Sequence, residues 1–170
     1  ETPRAALVAA DLSAHADFFS FGTNDLTQLT FAFSRDDVEI RLLPAYLEAG
    51  VLPVNPFEQL DQDGVGRLIE MTCTDARAVK PEIKIGICGE QAGDPASARF
   101  LVDAGVDYVS CSPYRVPIAR LAVAQALLDA DRVPDAEIER LTADVAGDHA
   151  APRAPEGLAA ATPTSTQIDD

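Results

Sequence analysis

The residues best suited to chemistry stand at the end of a short apolar run. Phe18-Phe19-Ser20-Phe21 leads straight into Gly22-Thr23-Asn24-Asp25, and a helical pattern opens from Leu26-Thr27-Gln28. A strand-to-helix turn of this kind presents backbone N–H groups that attract anions. The Asp25 carboxylate beside them can hold a divalent cation. Together they suit a small phosphorylated or carboxylated ligand bound through a metal. Glu1 precedes Asp25 by 24 residues, about one strand–helix unit, which is the spacing of an adjacent strand end. Two carboxylates converging there fit Mg²⁺, which takes one or two carboxylates and fills its shell with substrate oxygens. Each residue also has an ordinary reading: Asn24 and Asp25 are good helix caps, and Glu1 is a terminal residue with no required role.

Cysteine is the other candidate chemistry. Cys88 ends a second apolar run and is followed by Gly89-Glu90, and Cys111 ends a third, followed by Ser112-Pro113. A free thiol at a strand end can act as nucleophile or as general acid and base. Spacing alone does not separate the two. Cys73 sits in a helical pattern and reads as a small buried hydrophobe. Neither His15 nor His149 has a catalytic context. Arg115 and Arg120 read as helix-surface or subunit-contact residues that can also meet an anion.

These groups need elements to position them, and the pattern alternates strand with helix. Residues 11–16 read as the end of an amphipathic helix, 17–21 as a strand, 24–33 as a helix and 34–37 as a polar break. Residues 41–49 give a short helix and 50–58 a proline-containing loop. A longer helix is expected over 64–80, with Val65, Leu68, Ile69 and Thr72 on one face and Pro81 as its stop. Residues 82–88 form a strand, and Asp94-Pro95 starts a helix that ends at Gly105. A third strand spans 106–111, and a final helix over 117–130 carries Ile118, Leu121 and Leu128 at helical spacing. Continuous apolar strands, each followed by a helix, indicate an α/β fold with a parallel sheet. In such folds function gathers where strands end and helices begin, and all three strand ends here carry unusual residues.

Composition excludes several functions. The chain has 170 residues, of which 47% are hydrophobic, enough for one sizeable core. Its 28 acidic residues against 13 basic ones give a net charge of −15, with no basic stripe for nucleic-acid phosphates. No apolar run approaches the roughly 18–20 residues that span a bilayer, and no signal peptide is visible. Three cysteines without C-x-x-C spacing fit neither a disulfide framework nor a structural zinc site, so a reducing cytoplasm is the expected compartment. The chain opens on Glu1-Thr2-Pro3 without Met and reads as a piece of a longer protein. A short helix or linker is expected over 131–146, and 147–170, rich in Ala, Pro, Thr, Gly and Asp, reads as a disordered tail.

The quoted motifs resemble the C-terminal domain of phosphoenolpyruvate-utilising enzymes. The resemblance is carried by residues 18–28, Ser34-Arg35-Asp36-Asp37, residues 60–66, Gly86-Ile87-Cys88-Gly89-Glu90 and residues 108–120. The last of these favours the dikinase branch, which makes phosphoenolpyruvate from pyruvate, ATP and phosphate. The synthase and sugar-phosphotransferase relatives share the Gly-Thr-Asn-Asp-like and Cys-Gly elements.

The resemblance implies that residues 1–130 are about the last three units of a (β/α)₈ barrel. It implies Glu1 and Asp25 as Mg²⁺ ligands. Glu1, Gly22, Thr23, Asn24 and Asp25 become the pyruvate or phosphoenolpyruvate site, and Cys88 becomes the proton donor. It further implies a phosphohistidine domain and a nucleotide-binding domain elsewhere in a full-length enzyme, and a homodimer through the barrel. Gln91 departs from the pattern, standing where members of the dikinase branch carry His. The isolated chain is expected not to run the overall reaction. A non-catalytic association module is the reading from another class.

Overall fold

Successive strands joined by helical chain can pair only in parallel, and three do so here. In the computed structural model, which describes residues 1–129, they are β1 (Phe18–Gly22), β2 (Lys84–Cys88) and β3 (Tyr108–Ser110). The sheet order is β1-β2-β3, with Phe18 opposite Lys84, Gly22 opposite Cys88, and Cys88 in turn opposite Ser110. The chain is therefore a mixed α/β structure with a small parallel sheet. The segments expected over 131–146 and 147–170 lie outside the described residues.

Eight helices flank these strands among the described residues: α1 (Pro3–Leu7), α2 (Ala9–Ser13), α3 (Thr23–Phe31), α4 (Arg35–Arg41), α5 (Leu43–Glu48), α6 (Arg67–Val79), α7 (Pro95–Asp103) and α8 (Val116–Asp129). Their starts follow local chemistry. The Asp94 carboxylate accepts from Ser97 N at 2.8 Å and so caps α7, whose first residue is Pro95. The Asp61 carboxylate accepts from Val65 N at 3.1 Å and opens a π-helical turn, Gln62–Gly66, that runs into α6.

One face of the sheet is covered. Phe21, Ile85 and Ile87 join Leu26, Leu60, Val65, Ile69, Cys73 and Leu101 in a core, with Phe19 and Val109 packed against it. Each fully buried Ile side chain contributes about 1.5–3 kcal/mol. The other face is not covered: Phe18 is 61% exposed and Tyr108 43%. The apolar runs are continuous because Phe18 and Tyr108 are apolar, yet no element among the described residues packs over them. The Tyr108 ring instead covers Gly86, where any Cβ would overlap it.

Two expectations about the helices are corrected. The polar stretch 34–37 is no break: Ser34 stands at the N-cap of α4, and Asp36 and Asp37 occupy its first turn, where acidic groups favour the helix dipole. The helix expected over 24–33 stops at Phe31, because Ala32 turns left-handed (φ 56°) and Phe33 N reaches back to Gln28 O at 2.8 Å. In α8 the buried stripe is Ala119, Ala122 and Ala126, small residues suited to close packing against α7. Ile118, Leu121 and Leu128, which share the helical spacing, are exposed.

At the sheet's opposite end Asp107 clamps β3 to β2. Its Oδ2 accepts from Arg77 Nη2 at 2.9 Å and from Ile85 N at 2.8 Å, and Oδ1 accepts from Lys84 Nζ at 3.1 Å. Partial burial works against the carboxylate, but the Ile85 and Lys84 hydrogen bonds and the Arg77 charge outweigh it and hold its pKa below the usual 3.8.

Candidate functional site

The C-terminal ends of the three strands form one corner. Gly22 and Cys88 end their strands as register partners, and the Cys88 thiol lies 3.3 Å from the Phe21 carbonyl, within reach to donate to it. Cys88 is exposed, Cys111 is partly covered one residue beyond β3, and Cys73 is buried in α6. Burial pushes the Cys73 thiol up to about 11, with the Arg77 charge opposing the shift. Geometry therefore separates the thiols where spacing did not: only Cys88 is register-paired with the end of the Gly22 strand.

Glu1 is placed, not loose. It stands just before α1, whose cap is Thr2 accepting from Ala5 N at 3.2 Å, and its side chain leans on Gly22. A Cβ on Gly22 would come within 3.1 Å of both Glu1 Cβ and Glu1 Oε2. The glycine at the end of β1 is thus the space that the Glu1 carboxylate occupies. Beside it, Glu1, Ala6, Leu12, Phe19, Phe21 and Leu26 line a cavity of about 90 Å³ on the outer side of β1.

The turn itself is not capped by its polar residues. Gly22 is the N-cap of α3 and makes no side-chain cap hydrogen bond, so neither Asn24 nor Asp25 holds the cap position. Asp25 is exposed in the first turn, with Oδ1 accepting from Gln28 Nε2 at 3.1 Å. Asn24 Oδ1 is buried and has no hydrogen-bond partner. A buried amide oxygen left unpaired costs about 1–3 kcal/mol, so its natural completion is a bound polar group. Thr23 is fully buried, its hydroxyl 2.9 Å from Cys88 O and 2.8 Å from Gln91 Oε1.

Sequence reading missed two supports. Gln91 is fully buried between the Gly22 turn and the Pro56 carbonyl. Arg115, expected on a helix surface, donates from Nη1 to Glu90 O at 2.9 Å and lays its methylenes against Gly93. Nothing in their local sequence signals either role, since both contacts join segments distant in the chain.

Glu1 and Asp25 carry hard carboxylate oxygens, the kind of donor that Mg²⁺ takes together with substrate and water, and no group of three or more His, Cys, Asp and Glu is placed to hold a metal among the described residues.

Comparison with known proteins fixes the relationship. The family described as "PEP-utilising enzyme, PEP-binding domain" matches residues 1–128. The chain belongs to this family. The chain is 60% identical over 128 residues to "Pyruvate, phosphate dikinase 1, chloroplastic" of Arabidopsis thaliana, a match covering 75% of the chain and 13% of that relative. It is 60% identical over 125 residues to "Pyruvate, phosphate dikinase, chloroplastic" of Mesembryanthemum crystallinum, covering 74% and 13%. Against "Pyruvate, phosphate dikinase 1, chloroplastic" of Oryza sativa subsp. japonica it is 59% identical over 128 residues, covering 75% and 13%. The chain spans about 13% of the length of these curated relatives. No helix among the described residues is long and apolar enough to cross a membrane.

Proposed function

We propose that this chain is the pyruvate- and phosphoenolpyruvate-binding part of a pyruvate, phosphate dikinase, which converts ATP, phosphate and pyruvate to AMP, diphosphate and phosphoenolpyruvate. The observation that carries the reading is the pairing of Gly22 with Cys88 under the Glu1 carboxylate. In this reading that pairing would bring an anion-binding turn, two carboxylates and an exposed thiol to one sheet end. High identity to dikinases over residues 1–128 supports the same assignment.

In this reading residues 1–130 are the C-terminal portion of a (β/α)₈ barrel. The uncovered sheet face looks into its lumen, and the cavity beside β1 receives the chain that precedes it. Glu1 and Asp25 would hold Mg²⁺, which supplies Lewis-acid polarisation of the pyruvate carbonyl. The free N–H groups at the start of α3 bind the carboxylate of the substrate. Asn24 fills its open hydrogen-bonding position with that ligand. Cys88, as thiolate, takes a methyl proton; the C–H pair becomes the new C=C bond while the carbonyl oxygen accepts the phosphoryl group. In reverse the Cys88 thiol returns the proton to C3. Phosphoryl delivery belongs to a phosphohistidine domain, and its loading to a nucleotide-binding domain, both in a full-length enzyme that dimerises through the barrel. The isolated chain does not run the overall reaction, and cytoplasmic location rests on cysteine usage alone.

Calorimetry on the full-length protein tests the site. Oxalate or phosphoenolpyruvate should bind only with Mg²⁺ present, and Asp25→Asn or Glu1→Gln should weaken binding about 10-fold or more. Equal binding with and without Mg²⁺ would refute the assignment. The exposed Ile118, Leu121 and Leu128 on α8 favour a second reading, an association module. Self-association with no Mg²⁺-dependent ligand binding would favour that module.

A further inference from the structure

Gln91 lies in the 3₁₀ turn Glu90–Gly93 that follows β2, with its side chain wholly buried. Three groups hold its amide. Nε2 donates to the Pro56 carbonyl at 2.9 Å and lies 3.5 Å from the Thr27 hydroxyl, while Oε1 accepts from Thr23 Oγ1 at 2.8 Å. The orientation follows from the partners. Turning the amide over would set Oε1 against the Pro56 carbonyl, two acceptors with no proton between them. Oε1 must therefore face Thr23.

Thr23 has one hydroxyl proton and two acceptors in reach, Gln91 Oε1 and the Cys88 carbonyl. Between them passes Gly89, at φ +143°, where a Cβ would overlap Thr23 Oγ1 and come 3.0 Å from Gln91 Oε1. The first residue of α3 and the loop carrying Pro56 thus meet at one buried amide, and through the Thr23 hydroxyl the amide is joined to the last residue of β2.

We propose that Gln91 is a positioning residue for proton transfer: it fixes Thr23 and the Cys88-Gly89 backbone as one unit and so sets where the Cys88 thiol stands over the Gly22 turn. The inference rests on the reading of this corner as the pyruvate site with Cys88 moving the proton. Gln91 touches no substrate. Without its amide, the Pro56 carbonyl loses its donor and Thr23 one of its two acceptors. A misplacement of about 1 Å at the reacting atoms costs about 100-fold in rate.

The test uses the full-length protein and follows exchange of the pyruvate methyl protons with solvent. ATP-dependent histidine phosphorylation reports on the other domains. Gln91→Met keeps the volume and removes every hydrogen bond; exchange should fall about 10- to 100-fold while KM for pyruvate moves less than about threefold. Gln91→Glu gives a signature that a packing role does not produce. As a neutral acid its hydroxyl donates to Pro56 O and its carbonyl accepts from Thr23, reproducing the amide. Once ionised it donates nothing and puts a charge among Thr23, Thr27 and Pro56, none of which carries one. Its exchange rate relative to wild type should be near one at low pH and fall as pH rises, with a midpoint raised by burial.

Wild-type exchange in Gln91→Met, or a ratio for Gln91→Glu that stays flat with pH, would overturn the inference while Cys88→Ala remains inactive in exchange. Wild-type exchange in Cys88→Ala would overturn the underlying site reading, and the inference with it. Should Gln91→Met unfold, the pH series on Gln91→Glu decides alone.

Discussion

Gly22 and Cys88 face each other as the last residues of adjacent parallel strands. One opens the turn into α3 and gives room to the Glu1 carboxylate, and the other carries the exposed thiol. Parallel pairing brings both to the same sheet end although 66 positions separate them in the sequence. That single register is what converts three scattered motifs into one corner.

Gly22→Ala should damage the site more than the fold. Gly22 has an ordinary φ of −89°, so alanine brings no backbone strain, but its Cβ would press the Glu1 carboxylate aside. Mg²⁺-dependent oxalate affinity of the full-length protein should fall about 10-fold or more, as for displaced metal-site supports. The unfolding midpoint should move little. Calorimetry and a denaturant series on the same preparation check both.

Gly89→Ala should do the reverse. Its φ of +143° strains any other residue, and the new Cβ would overlap Thr23 Oγ1. Backbone strain of about 1–3 kcal/mol adds to an overpacking cost of similar size. A denaturant series should show a clear loss of stability, and an unchanged midpoint would contradict the close approach of Thr23 and Gln91.

How much of this was legible in the chain depends on the range of the interaction. The Gly22-Thr23-Asn24-Asp25 turn, the Asp94-Pro95 helix start and the order of strands are written in local residue types, and the structure carries them. The capping reading of Asn24 and Asp25 failed because Gly22 takes the cap position and leaves both side chains for other partners. The buried face of α8 was not legible, because alanines at 119, 122 and 126 allow close packing while the larger Ile118, Leu121 and Leu128 stand exposed. Gln91 and Arg115 act only through contacts across the fold, on Pro56, Thr23 and Glu90, and no local pattern encodes those.

The cysteines should differ in reactivity. Cys88 is exposed, whereas the Cys73 thiol is buried and ionises only near pH 11. Iodoacetamide on the native protein near pH 8, followed by peptide mapping, should label Cys88 and spare Cys73. Because burial raises the Cys73 value from 9.0 to about 11, its contribution to stability is complete below pH 9 and is lost between pH 9 and 11. Cys73→Ala should flatten stability over that window.

Asp107 predicts the acid limb. Its pKa is lowered in the fold, so its stabilisation is present above about pH 3.8 and is lost as pH falls through the folded value. Asp107→Asn should cost about 1.5–3 kcal/mol at neutral pH, the usual worth of hydrogen bonds to a charged group. The loss should shrink toward zero under acid, measured as the unfolding free energy at several pH values.

Proton exchange at the methyl group of pyruvate tests the central assignment most directly. With the full-length protein in D₂O, Cys88→Ala should slow deuterium uptake about 10²- to 10⁴-fold, the usual worth of a general acid–base group. The same variant should still phosphorylate its histidine from ATP, and Cys111→Ala should exchange as wild type does. Deuterium uptake at the wild-type rate in Cys88→Ala would contradict the account.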